Sequence, residues 1–253
     1  RNLIVAAHAL HDHIVHFFHL SALDWVDVVS ALDADPVETE KLASTISEWP
    51  HNNRHQFAAV KGRLKALVAS GQLGIFNKGY WGHSAMHLSP EVNLLAVSHY
   101  LQALEYQKKA NQVVAILGSK TPHVQTIQVG GMTNQINPDS PTALGMERLY
   151  LVKTLLDEAD EFVKKVLLVD TAAVGAMYAD WTGHGKGVVN YLSAPDMPRD
   201  TKGKKFHLPG GYIPEGPPSK FTHIKRFQDD FFSKIAHERT KYDRYNGDWD
   251  RYP

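Results

Sequence analysis

Cysteine is absent from all 253 residues, which excludes disulfides, thiolate zinc sites and cysteine-ligated iron–sulfur clusters within the chain. An excess of one charge is absent too. Lys and Arg number 27, as do Asp and Glu, giving a formal net charge of zero. The electrostatic footprint of a nucleic-acid or anionic-membrane binder is therefore missing, and no nucleic-acid partner is expected. No apolar run approaches the roughly 18 to 20 residues needed to cross a bilayer, and no charged-then-apolar targeting segment opens the chain. Internal repeats and low-complexity tracts are also lacking. What is present is 43% hydrophobic residues, enough for one large core or two modest ones.

The amphipathic pattern is already running at Leu3, after Arg1, and Tyr252-Pro253 closes the chain without a tail, so an excerpt of a longer protein is expected. Apolar residues at Leu3, Ala7, Leu10, Ile14 and Phe17 have helical spacing, and this long opening helix is expected to extend to about Leu32. His8, Asp12, His16 and His19 form a second stripe almost opposite. Ile4, Val5, Val15 and Phe18 fill the flanks, which predicts burial nearly all round, with the polar stripe facing an internal site, a water pocket or a partner chain. Asp35-Pro36 starts a helix to about Ile46, another runs from about His55 to Ala69, and Ser89-Pro90 starts a long one ending at Gly118. An ordered loop is expected around Gly74, Phe76, Gly79, Tyr80 and Trp81. Irregular backbone fills 118–140. Helices resume from about Ala143 to Leu167 and over Ala172 to Tyr178, and short strands are expected at 188–192 and 206–208. The fold class is therefore mainly α: long buried helices in a bundle, irregular loops, and a few short strands in the C-terminal third. Residues 1–182 are read as a helical core segment and 183–253 as a loop-rich segment, both parts of one larger domain.

Five of the 15 histidines fall in the first nineteen residues, at positions 8, 11, 13, 16 and 19. Histidine titrates near neutrality and binds metals, so Asp12 and His16, one turn apart, suit a metal, a proton relay or a hydrogen-bonded structural stripe. The run Gly118-Ser119-Lys120-Thr121 lacks the first glycine of a phosphate loop and follows a helix instead of a strand, so it reads as an interface loop. Asp243, Asn246, Gly247, Asp248 and Asp250 lack the residue order and closing glutamate of a calcium loop and read as a solvated loop.

Longer runs carry a resemblance. "HALHDHIVHFFHLSALDWVDV" (residues 8–28), "GQLGIFNKGYWGHSAMHLSPEVNLLAVSHYLQALEYQ" (71–107), "LGSKTPHVQTIQVGGM" (117–132), "NPDSPTALGMERLYLVK" (137–153) and "LPGGYI" (208–213) resemble the large, catalytic subunit of nickel–iron hydrogenases of the membrane-associated uptake type. Order and spacing agree over roughly the first 215 residues, while "TKYDRYNGDWDRYP" (240–253) resembles the family less well, as though a stretch between about 235 and 242 were shortened.

The resemblance implies heterolytic oxidation of dihydrogen, with electrons passed to a small subunit carrying iron–sulfur clusters and on to a membrane electron acceptor on the periplasmic side. It also implies a nickel–iron centre with carbon monoxide and cyanide on iron, held by two Cys-x-x-Cys pairs. Neither pair lies in this chain, so the chain provides no metal ligand and is expected to be inactive alone. Asp12 matches the aspartate that holds the family's active-site arginine over the metals, and His16 is a weaker candidate for the same network. Lys120 and His123 match positions that approach the small subunit and its nearest cluster. Ser119 stands where a second glycine is common, and Thr133 where relatives often carry Pro-Cys nearby. The alternative is a cysteine-free scaffold or assembly relative of that subunit, and a histidine-bound metal module at His8, His16 and His19 is a third reading.

Overall fold

The structure is a computed structural model that describes residues 1–72, 82–129, 131–141, 144–185, 187–225 and 229–235. The loop expected around Gly74 to Trp81, the acidic tail from Asp243 and the stretch 236–242 lie outside the described residues. The chain divides into two compact units, Arg1–His184 and a second beginning at Gly185.

Among the described residues, six α-helices build the first unit: α1 (Asn2–Val15), α2 (Pro36–Ile46), α3 (Arg54–Ser70), α4 (Pro90–Gly118), α5 (Met146–Phe162) and α6 (Leu168–Met177). Local chemistry sets their ends. Asp35 accepts from the N–H of Val37 at 2.8 Å with Pro36 at the first helical position, and Asn53 accepts from Gln56 at 3.0 Å. Ser89 accepts from Val92 at 3.3 Å ahead of Pro90. Each side chain satisfies a donor that the first helical turn leaves free. Gly71 ends α3 in the left-handed region at φ 67°, which glycine adopts without steric cost.

α4, 29 residues long, is the axis of the unit. Near its C-terminal end Val113, Val114 and Leu117 pack with Ile4 and Ala7 of α1 and with Val152 and Leu155 of α5. At its middle, Ala103 packs with Ile14, Phe18, Trp49, Phe162 and Val166. Towards its start, Val92, Leu94, Leu95 and Val97 meet Ala43 of α2 and Phe57, Val60 and Leu64 of α3. The expected mainly helical bundle is the fold observed.

Three expectations are corrected. The opening helix does not run straight to Leu32: it widens into a π turn at His16–Ser21, then continues as short 3-10 turns at Ala22–Asp24 and Ser30–Leu32. Nor is it buried on all sides within this chain, since Asp12, His13 and His16 are exposed. Asp12, His13 and His16 are left outside because apolar Ile4, Ala7, Ile14 and Phe18 take the packed side, whereas His19 of the same stripe turns toward α4. Strands are not confined to the C-terminal third either: β1 (Ile127–Gln128) and β2 (Gly131–Met132) form an antiparallel pair inside the segment read as irregular. Two-residue strands are too short for an alternating pattern to reveal them.

In the second unit, β3 (Tyr191–Ser193), β6 (Gly211–Ile213) and β7 (Thr222–His223) make one antiparallel sheet, and β4 (Asp196–Pro198) pairs with β5 (Phe206–Leu208). The Asp200 carboxylate accepts from the N–H groups of Lys202, Lys204 and Lys205 at 2.9, 3.2 and 3.0 Å, closing the β4–β5 turn. These backbone donors, that of Lys204 foremost, hold its carboxyl below the usual value.

Candidate functional site

Asp12 sits in the last turn of α1, where its side chain keeps 73% of its surface exposed. Its partner is the neighbouring His11, whose Nδ1 lies 2.9 Å from Oδ1. The pairing with His16 suggested by their spacing is not made. His16 is exposed at the start of the π turn, with its carbonyl accepting from the Ser21 hydroxyl at 3.0 Å. His19 turns inward: Nε2 lies 3.3 Å from the Tyr100 carbonyl, Nδ1 is buried without a partner, and burial lowers its pKa. The end of α1 thus presents one accessible carboxylate steadied by an imidazole, a shape suited to a guanidinium or ammonium group.

Lys120 and His123 occupy the tight loop that follows α4, and both are exposed. Ser119 and His123 hold positive φ of 67° and 63°, and the Thr121–Pro122 peptide is cis. Hydrogen bonds fix the loop closely: Thr121 Oγ1 to Asn111 Oδ1 at 3.1 Å, the Gln125 N–H to the Gly118 carbonyl at 3.0 Å, and Thr126 Oγ1 and Asn134 Nδ2 to the Leu117 carbonyl at 3.0 and 3.1 Å. Two carbonyls at the helix end thereby gain the partners that a helix terminus lacks. A β-carbon on Gly118 would stand 2.6 Å from Val124 Cγ1, so the loop closes onto a position open only to glycine. The result is a rigid platform that displays a cation and an imidazole outward. The two sequence candidates, Asp12 at the end of α1 and Lys120 with His123 after α4, belong to separate places in the unit.

Sequence reading missed a buried polar chain along α4. His99, 1% exposed, has Nδ1 2.8 Å from Asp170 Oδ2 and Nε2 2.8 Å from Asn52 Oδ1. Beside it, Trp49 Nε1 donates to Gln102 Oε1 at 2.7 Å, and Gln102 Nε2 donates to Ser98 Oγ at 3.1 Å. Asn93 Oδ1 accepts from the Asp27 N–H at 2.9 Å, and its amide donates to the Leu88 carbonyl at 3.1 Å. Apart from the local Ser98–Gln102 and Leu88–Asn93 bonds, the partners lie 47 to 71 residues apart, so their pairing was invisible in the sequence. One signal was available: the stretch 92–99 is apolar on every helical face, which forces Asn93, Ser98 and His99 inside, where each must find a partner.

The metal centre implied by the resemblance needs a donor set that these residues do not make. Cysteine is absent, and among the described residues no group of three His, Asp or Glu side chains converges to hold a metal. The histidine-bound module at His8, His16 and His19 accordingly has no constellation behind it, and the described residues do not provide a thiolate donor set for nickel or iron.

Fold and loops together define a helical scaffold that presents polar groups outward. The sequence profile of the nickel-dependent hydrogenases matches residues 1–253, and the chain belongs to that family. It is 50% identical over 253 residues to the Hydrogenase-2 large chain of Escherichia coli (strain K12), covering 100% of this chain and 45% of that protein. It is 44% identical over 250 residues to the uptake hydrogenase large subunit of Bradyrhizobium diazoefficiens, covering 96% of this chain and 42% of that protein. In structure it is similar to the as-isolated oxidised nickel–iron–selenium hydrogenase of Desulfovibrio vulgaris Hildenborough. The TM-score is 0.62 at 25% identity, over 88% of this chain and 35% of that one. The chain spans less than half the length of these curated relatives.

Proposed function

We propose that this chain is part of the large subunit of a nickel–iron hydrogenase that oxidises dihydrogen heterolytically and passes electrons to an iron–sulfur small subunit. The observation that carries the reading is the match to the nickel-dependent hydrogenases along the whole chain. In this reading the four thiolates, with the carbon monoxide and cyanide ligands of iron, are held by polypeptide outside these 253 residues. The chain supplies the scaffold and the surrounding charges, and by itself is inactive.

Asp12 is the positioning residue of this proposal. Its exposed carboxylate, steadied by His11, would receive an arginine from another part of the subunit, while His16 on the same stretch would extend the proton path. Lys120 and His123 would face the small subunit from their rigid loop, where a cation and an imidazole favour electron arrival at the nearest cluster. The enzyme is assigned to the periplasmic side of the membrane, delivering electrons to a membrane acceptor through its partner. Fractionation of the native host tests that placement, and a strictly cytosolic pool would contradict it.

Asp12→Ala in the full-length enzyme is expected to lower turnover by roughly tenfold or more, the scale of losing an outer-sphere partner, while nickel content stays within error of wild type. Unchanged turnover with intact metal would remove Asp12 from the proposal. The absence of cysteine favours one rival, a scaffold relative that never binds metal. Nickel-free protein from cells with working maturation would support it.

A further inference from the structure

His87, in the segment that leads into α4, stands between two backbone carbonyls. Its Nδ1 lies 3.0 Å from the carbonyl of Ala85 and its Nε2 2.8 Å from the carbonyl of Met177, the last residue of α6. A neutral imidazole has one N–H and one lone pair, so it can donate to only one of them and sets a lone pair against the other. The imidazolium donates to both. A side-chain amide in either place could rotate to offer an N–H, but a backbone carbonyl cannot.

The surroundings suit a cation in three further ways. The ring lies against Tyr178, with centroids 4.3 Å apart, and edge-on to Trp181 at 6.4 Å, both π-systems that attract positive charge. The Met177 carbonyl belongs to the negative end of the α6 dipole. Asp180, on the turn after α6, adds a favourable carboxylate.

The backbone is tied at the same spot: the His87 N–H points to the Tyr178 hydroxyl at 3.4 Å, and that hydroxyl donates to the Trp25 carbonyl at 2.7 Å. Asp27, on the turn after Trp25, receives the Gly82 N–H at 3.0 Å, and His83 Nδ1 accepts from the Ala85 N–H at 3.1 Å. Among the described residues, Tyr178 and Asp180 act on the ring itself, and Asp27 and His83 are tied to the adjoining backbone.

We propose that His87 is a proton-operated clasp: the imidazolium fastens the segment entering α4 to the C-terminal end of α6, and loss of the proton releases it. What the clasp controls is the tightness of the α4–α6 junction, the junction that also holds the His99–Asp170 pair. This reading is independent of the enzymatic proposal.

The direction in pH follows from the donors and acceptors. The Met177 carbonyl is the largest cause raising the His87 pKa above its ordinary 6.5. The clasp therefore contributes fully below about 6.5 and is lost as pH rises through the raised folded value.

The test is site-resolved exchange of histidine C2 hydrogens by mass spectrometry on the intact full-length protein, which yields a midpoint for each histidine without a variant. The proposal expects the His87 midpoint above 6.5; a midpoint at or below 6.5 overturns it. Amide exchange on the same protein, corrected for the intrinsic pH effect, reads the consequence. Peptides covering 85–89 and 174–181 should lose about three- to tenfold protection as His87 deprotonates. His87→Gln should show the low protection throughout, whereas His83→Gln and Asp180→Asn keep a pH step. An unaltered step in His87→Gln contradicts the clasp.

Discussion

Burying the imidazole of His99 is costly unless both nitrogens are met, and Asp170 and Asn52 meet them at 2.8 Å each. Removing the carboxylate by Asp170→Ala leaves a buried N–H without an acceptor, at a cost of about 1 to 3 kcal/mol. Asp170→Asn keeps an acceptor oxygen and is expected to cost less. Thermal unfolding of the purified enzyme should rank wild type above Asn and Asn above Ala; equal midpoints for the two variants would contradict the account. His19 makes the opposite pH prediction to His87. Burial lowers its pKa below 6.5, so its contribution is present above about 6.5 and is lost as pH falls through the lowered folded value. Histidine exchange should place its midpoint below 6.5, and a value above would contradict the burial of Nδ1. At this scale the sequence was half legible. Asp12, His16 and His19 stood out by spacing, yet the pairing Asp12 actually makes is with its neighbour His11. The partners of His99 are 47 and 71 residues away, beyond any local pattern.

Helix ends were the most legible elements, because Asp35, Ser89 and Gly71 act through hydrogen bonds or φ angles fixed within three residues, although Asn53, the cap of α3, was not read. The two π turns described in the first unit, at His16–Ser21 and Val163–Leu167, were not legible. They sit in one core, where Phe18 meets Phe162 with centroids 5.8 Å apart and Phe162 stacks on Tyr106 at 4.3 Å. Tertiary packing of aromatic rings, absent from any window of sequence, accompanies the widening of each helix there. Phe162→Ala removes a fully buried ring from this junction and is expected to cost about 3 to 5 kcal/mol, seen as a lower denaturant midpoint. A change under about 1 kcal/mol would place little weight on this core. After α4, Gly118→Ala would drive a methyl into Val124. Overpacking of this kind typically costs about 1 to 3 kcal/mol, and the loop bearing Lys120 and His123 should become more open to limited proteolysis. An unchanged cleavage pattern would contradict the close fit at that turn.

Across the whole molecule, a zero net charge and a cysteine-free composition excluded classes of function without naming one; the long sequence runs pointed to the family. The chain lacks cysteine and belongs to the nickel-dependent hydrogenases, whose profile matches it throughout. Its helical bundle packs α1 against α4, leaves Asp12 exposed, and stiffens the loop after α4; in the proposed function these charged groups meet polypeptide elsewhere in the subunit. The central claim is that these residues serve a metal centre held outside them. The measurement that tests it most directly is the nickel-to-protein ratio of the natural full-length polypeptide, purified from its source with its partner subunit. The account predicts about one nickel per large subunit, held by thiolates outside residues 1–253. Protein without nickel, from cells whose maturation system loads other hydrogenases, would contradict it.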